Sequence, residues 1–73
     1  MEPERWIAEF AAAAGTEAPS PEQIDKMLKL AAVAAHSSER IAAPVACWIA
    51  GSAGLDLDEA KKIADGIGPP TGD

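Results

Sequence analysis

Alanine dominates the apolar part of this chain and limits both its secondary structure and its core. The 73 residues are 48% apolar, and 17 of them are alanine, about half of the apolar set. Alanine favours the helix strongly, but its small side chain contributes little buried area. The composition therefore predicts a helical chain whose core depends on few large side chains.

The large apolar side chains are sufficient for one small core with little to spare. A chain this short buries only about 60% of the surface that its unfolded form exposes, so its free energy of unfolding is small. A partner that covers an apolar face would add stability. The large apolar residues are Trp6, Ile7, Phe10, Ile24, Met27, Leu28, Leu30, Val33, Ile41, Val45, Trp48, Ile49, Leu55, Leu57, Ile63 and Ile67.

The charge balance is acidic and disfavours two classes of partner. Twelve acids against six Lys and Arg residues give a formal net charge of −6, and without a basic stripe both nucleic acid and anionic membrane are poor partners.

The first residues lack the basic n-region of a signal peptide, and no apolar run approaches the ~18 residues of a membrane span. The single cysteine, Cys47, excludes an internal disulfide and agrees with a reducing compartment. We therefore expect a cytoplasmic protein.

Capping signals predict the first two helices. The first spans about 3–14 and ends at Gly15, a residue type that favours the left-handed conformation after a helix. The second begins after Ser20, which forms a capping box with Gln23, and it fades over 36–38.

Helix 2 carries apolar residues on more than one face, which indicates a central or partner-covered helix. Leu30 and Val33 are predicted to point away from its main stripe. That main stripe is Ile24, Met27, Leu28, Ala31, Ala34 and Ala35.

A third helix is predicted over about 44–52, because Ala43 precedes a proline and is biased away from the helical region. No charged residue occurs from Ile41 to Leu55, so this helix is expected to be deeply buried or docked. The glycines at 51 and 54 are expected to end it, although they superficially resemble a phosphate-binding loop.

A fourth helix over about 57–65 completes the predicted fold, with Asp56 as its N-cap and Glu59 reaching back in a second capping box. The sequence thus predicts an all-α protein, a compact four-helix domain with short loops. Residues 1–67 are assigned to this single domain and 68–73 to a mobile tail.

His36 and Arg40 are the most informative polar residues, since the connector between two apolar helices needs neither. If helix 2 continues that far, both project from one side and can grip an anion or a carboxylate together. The favoured alternative is structural: a cation near a helix C-terminus pairs with the last carbonyls and the helix dipole, or Arg40 ties the connector to an acid on helix 1 or 4.

Trp6 and Trp48 are expected to pack in the core, with exposure as partner anchors as the alternative. Cys47 lies in an apolar run and is expected to pack there too, because a nucleophilic role needs a neighbouring base and an electropositive setting. One histidine and one cysteine fall short of a zinc ligand set. We therefore predict no catalytic residue, no metal site and no cofactor. The candidate partner-binding residues are His36, Arg40, Pro44, Trp6 and Trp48.

The stretch from Leu28 to Gly54 resembles a small uncharacterised helical domain of high-GC Gram-positive bacteria. That family's pattern is roughly Leu-x-Leu-Ala-x-x-x-Ala-His-x-x-x-Arg-x-x-Ala-Pro, followed by an apolar helix that ends in Gly, and Trp6 matches its N-terminal tryptophan. Ile41 stands where a proline is common in the family. The matching positions are Leu28, Leu30, Ala31, Ala35, His36, Glu39, Arg40, Ala43, Pro44 and Gly51.

The resembled domain occurs alone or fused to molybdenum cofactor guanylyltransferase, and it accompanies formate dehydrogenase maturation. The resemblance therefore implies a non-catalytic accessory subunit or adaptor that contacts a molybdoenzyme or its cofactor maturation machinery. Two alternatives stay open: a module that binds an anionic, nucleotide-bearing cofactor through His36 and Arg40, and a self-associating structural domain that forms a homodimer through helix 3.

Overall fold

The computed structural model describes residues 1–67, which form four α-helices joined by short loops. They are α1 (Pro3–Ala14), α2 (Pro21–Ser37), α3 (Ala42–Ser52) and α4 (Leu57–Ile67). The predicted all-α, four-helix fold class is confirmed. The tail predicted over 68–73 lies outside the described residues.

Local hydrogen bonds fix the connection between α1 and α2 at both ends, as the capping signals predict. Gly15 has a φ of +83°, and the following amide, Thr16 N–H, donates to the Ala11 carbonyl at 2.9 Å. At the start of α2, the Gln23 amide donates to Ser20 Oγ at 3.1 Å, and the Ser20 amide donates to Gln23 Oε1 at 2.8 Å. This reciprocal pair is the predicted capping box.

The predicted start of α3 is wrong by two residues, because the helix begins at Ala42 and not at Pro44. The first four amides of a helix have no intrahelical acceptor, so a proline in the first turn loses no hydrogen bond. The preceding turn leads into the helix, with the Ala42 amide donating to the Glu39 carbonyl at 2.9 Å and the Ala43 amide to the Arg40 carbonyl at 3.1 Å.

At its own start, α4 has the predicted N-cap. Asp56 Oδ2 accepts from the amides of Asp58 at 3.1 Å and Glu59 at 3.4 Å. Within the described residues only this half of the second capping box is formed. The helix extends to Ile67, past the predicted end at 65, because a glycine at 66 costs little in a last turn.

The core is small and lies where three helices meet. Leu30 of α2, Ala50 of α3 and Ala60 of α4 are buried together. The partly buried Cys47 and Leu55 pack against them. The α2 helix packs against both α3 and α4, so the prediction that it is central is confirmed. The α1 helix contributes nothing to this cluster.

The predicted core stripe of α2 is wrong at its two leucines. Leu30 is 3% exposed, whereas Leu28 is 64% exposed. The helix has two apolar sides, and α3 and α4 pack on the side that carries Met27, Leu30 and Ala34, spaced i, i+3 and i+7. Leu28 lies instead in a shallow hollow that it shares with Ile7 of α1.

One ion pair crosses from α2 to α4. Lys26 Nζ lies 3.0 Å from Asp58 Oδ2. The hydrogen bond to this carboxylate, and then its negative charge, raise the pKa of Lys26 above its ordinary 10.5. A raised pKa means that the contribution to stability is complete below pH 10.5 and is lost as the pH rises through the folded-state value.

We predict that Leu30→Ala lowers the free energy of unfolding by about 2–5 kcal/mol, because it leaves a cavity at the meeting point of three helices. Leu28→Ala is the matched control, and it should lower stability much less, because Leu28 is 64% exposed and only borders the hollow that it shares with Ile7. Urea unfolding followed by circular dichroism measures both. Equal losses for the two variants would contradict this packing.

Candidate functional site

Small residues bring α3 close to α2, and the large ones point away from the core. Ala46, Cys47 and Ala50 are the buried or half-buried residues in the middle of α3, whereas Trp48 is 72% exposed. Of the two expected states of this helix, deep burial is therefore wrong and docking stays a prediction; the core assignment of Trp48 is also wrong. Because α3 carries no charged residue, the sequence pattern did not show which side of the helix faces the core. The side with small residues faces the core because it lets the backbones of α2 and α3 approach closely.

The exposed part of α3 includes an apolar strip that we call the outer face, formed by Ile41, Pro44 and Trp48. These residues are spaced i, i+3 and i+7, so they lie along one side of the helix. All three are exposed. An exposed tryptophan between other apolar side chains is unusual on a surface that has no partner.

A second apolar surface, the α3–α4 groove, adjoins the outer face. Its walls are Val45 and Ile49 on α3 and Ile63 and Ile67 on α4, each at least half exposed. Two adjoining hollows of about 180 and 270 Å³ make up the groove, and they share a floor of small residues. Sequence reasoning missed this groove because it counted Ile63 and Ile67 among the large apolar residues available for the core.

Trp6 lies on α1, away from the outer face and the groove. Its indole stacks on Phe10, with ring centroids 5.1 Å apart and ring planes 15° apart. The two side chains remain 55% and 61% exposed, so the predicted core role of Trp6 is wrong. The physical reason is that α1 does not pack into the three-helix core, so the stacked ring covers only one face of the indole.

His36 and Arg40 are both exposed, and they do not share a helix side. The α2 helix ends at Ser37, and the Ser38 amide closes it by donating to the Ala34 carbonyl at 3.1 Å. Arg40 therefore falls in the turn before α3, and the condition for an i, i+4 pair is not met.

His36 lies in the last turn of α2, where a basic residue is placed to interact with the helix dipole as expected. The expected ion pair between Arg40 and an acid on helix 1 or 4 is not formed within residues 1–67. Within residues 1–67 neither side chain makes a hydrogen bond or an ion pair, whereas four of the six Lys and Arg residues form ion pairs. Arg40 is thus a cation that faces solvent immediately before the outer face.

Cys47 and Gly54 take the structural roles predicted for them, whereas Gly51 lies inside α3 and does not end it. The Cys47 sulfur lies 3.9 Å from the Met27 carbonyl oxygen and packs beside the core, as the packing interpretation predicts. Gly54 has a φ of +68°, and the Leu55 amide donates to the Ala50 carbonyl at 3.0 Å, which is the geometry of a helix stop.

Residues 1–67 contain no group of three or more His, Cys, Asp or Glu side chains placed to hold a metal ion. In the same residues, no helix combines the length and the apolar character that crossing a bilayer requires.

These features define a small all-α domain with exposed apolar surfaces. The chain belongs to the family described as Domain of unknown function (DUF6457), whose model matches residues 2–67. That range contains all four helices, including the outer face and the groove. No curated protein and no solved structure matches the chain.

We predict that Trp48 behaves as a solvent-exposed tryptophan in the folded protein. In a Trp6→Phe variant, Trp48 is the sole tryptophan, and its emission maximum should lie close to that of the urea-unfolded chain. Acrylamide should quench it almost as strongly as in the unfolded chain. Circular dichroism confirms that the variant is folded. A blue-shifted emission that resists quenching would contradict the exposed position.

Proposed function

We propose that this protein is a non-catalytic accessory subunit or adaptor that binds a partner protein through the outer face of α3. The carrying observation is Trp48, which is 72% exposed within a segment that has no charged residue from Ile41 to Leu55. Moving this uncharged, exposed apolar surface and its indole from water into a complementary apolar pocket is favourable in free energy.

The residue types at this surface support a protein contact. Trp and Arg are enriched among the few interface residues that dominate binding energy. The outer face has the tryptophan at its C-terminal end, and Arg40 lies in the turn that precedes its other end. A partner with an apolar pocket for the indole and a carboxylate for Arg40 would satisfy both groups.

The proposed partner is a molybdoenzyme or a protein of its molybdenum cofactor maturation. This choice rests on the resemblance of residues 28–54 to a helical domain that occurs alone or fused to molybdenum cofactor guanylyltransferase and accompanies formate dehydrogenase maturation. We expect a domain that is fused to an enzyme in some proteins and separate in others to act together with that enzyme. As a separate chain, such a domain needs a surface that binds the enzyme. The single cysteine agrees with a reducing compartment, and we place the contact in the cytoplasm.

The alternative of a module that binds an anionic, nucleotide-bearing cofactor is favoured by one observation. His36 and Arg40 are exposed and without partners within residues 1–67. Neither lines the α3–α4 groove, so they would bind an anion on an open surface, where charge attraction is screened by salt. Enclosed sites bind small ligands better, and the protein contact is therefore the preferred function.

The test is affinity purification of the tagged chain from the organism that encodes it. We expect the wild-type chain to retain a molybdoenzyme or a cofactor maturation protein. Trp48→Ala should weaken that contact by about 2 kcal/mol, which is roughly 30-fold in Kd, as for interface tryptophans in general. Leu28→Ala is the control, because Leu28 is similarly exposed but lies on another helix.

Three outcomes would contradict the proposal. Recovery of no molybdenum-pathway protein by the wild-type chain would remove the partner assignment. Equal losses of partner affinity for Trp48→Ala and Leu28→Ala would show that the outer face is not the binding surface. Calorimetric heat with molybdopterin-related nucleotides, together with NMR shifts at His36 and Arg40, would replace the adaptor by the cofactor-binding module.

A further inference from the structure

We infer that the α3–α4 groove receives helix α1 of a second copy of this chain, and that the exchange is reciprocal, so that a closed dimer forms. The contact uses a surface other than the outer face of α3. It therefore does not depend on the proposed partner, and both contacts can exist in one assembly.

The groove has apolar walls and a floor of small residues, which suit the binding of a helix. Four aliphatic side chains form its walls, Val45 and Ile49 on α3 and Ile63 and Ile67 on α4, and each is at least half exposed. Small residues on both helices, such as Ala64, form its floor. Amphipathic helices bind proteins by placing an apolar side into a groove of this type.

The α1 helix is the segment of this chain that fits the groove. It contributes nothing to the three-helix core, and its aromatic pair Trp6 and Phe10 is more than half exposed. The two rings are one turn apart, which is the usual spacing of anchors in helix-in-groove binding. Its 12 residues give a length of about 18 Å, and the 11 residues of α3 give about 16 Å, so helix and groove are matched in length.

Charge permits a second copy at this surface. Two chains that each carry a formal charge of −6 repel each other unless the contact keeps their carboxylates apart. Among the described residues, none that lines the groove is charged. On α1, Glu9 beside the aromatic pair is already neutralised by Arg5, with Arg5 Nε 3.2 Å from Glu9 Oε2.

The apolar area is of the order that a stable dimer needs. A standard interface buries about 800 Å² per partner, and an aromatic side chain can bury about 150–250 Å². In a reciprocal dimer each copy contributes two aromatic and four aliphatic side chains, all at least half exposed in the single chain, which reaches the same order. A two-fold axis makes the two contacts identical. In such a dimer, the aromatic pair and the groove of each copy are both covered.

Sedimentation velocity on the full chain and two single variants tests this arrangement. We expect the wild-type chain to sediment as a dimer at micromolar concentration. Phe10→Glu, which changes only the inserted helix, and Ile49→Glu, which changes only the groove, should each raise the dissociation constant at least 100-fold. Ile41→Glu is the matched control, because Ile41 is exposed on the outer face and does not line the groove, and this variant should remain dimeric.

Mixing the two defective variants distinguishes this dimer from other forms of self-association. The α1 helix of the Ile49→Glu chain can still enter the groove of the Phe10→Glu chain, so the mixture should form a heterodimer at concentrations where each variant alone is monomeric. If circular dichroism shows that Ile49→Glu is unfolded, Ile67→Glu replaces it, because Ile67 is even more exposed.

A wild-type chain that stays monomeric at high concentration overturns the inference. So does a dimer that Phe10→Glu leaves intact, an open-ended series of larger oligomers, or a mixture of variants that does not associate. None of these outcomes bears on the outer face, since the partner contact at Trp48 is measured separately.

Discussion

The contact among Leu30, Ala50 and Ala60 determines the arrangement of the described chain. Two alanines allow α3 and α4 to approach α2 closely, and one leucine fills the space between the three helices. Because the small residues of α3 and α4 face the core, most large side chains of these helices lie on the surface. The exposed outer face and the groove are therefore consequences of the same close packing that holds the fold together.

The α1 helix stands apart from this contact for a related reason. A three-helix junction built from alanines and one leucine offers no recess for a tryptophan and a phenylalanine. The two rings stack on each other instead, which removes part of their surface from water without any contribution from the core. The caps at Gly15 and Ser20 then set the direction in which α1 leaves α2.

Most of the secondary structure follows from the sequence, because caps act locally. Ser20 with Gln23, Asp56, and the glycines at 15 and 54 each mark a helix end by hydrogen bonds that span a few residues. Which side of a helix faces inward is a different kind of question, since it depends on all three helices at once. Leu28 and Leu30 have the same side chain, and only the position of α3 and α4 decides between them. Trp48 was misplaced for the same reason, because its helix carries no charge to mark the solvent side.

The small core and the exposed apolar surfaces together have a consequence for the abundance of this protein in the cell. Among residues 1–67, Leu30 is the single large side chain that is buried. A domain with so small a core spends a larger fraction of time open than a domain with a full core. Chaperones and proteases sample such open states continuously, and a bound partner suppresses them by mass action. The abundance of this chain should therefore follow the abundance of whatever covers its apolar surfaces.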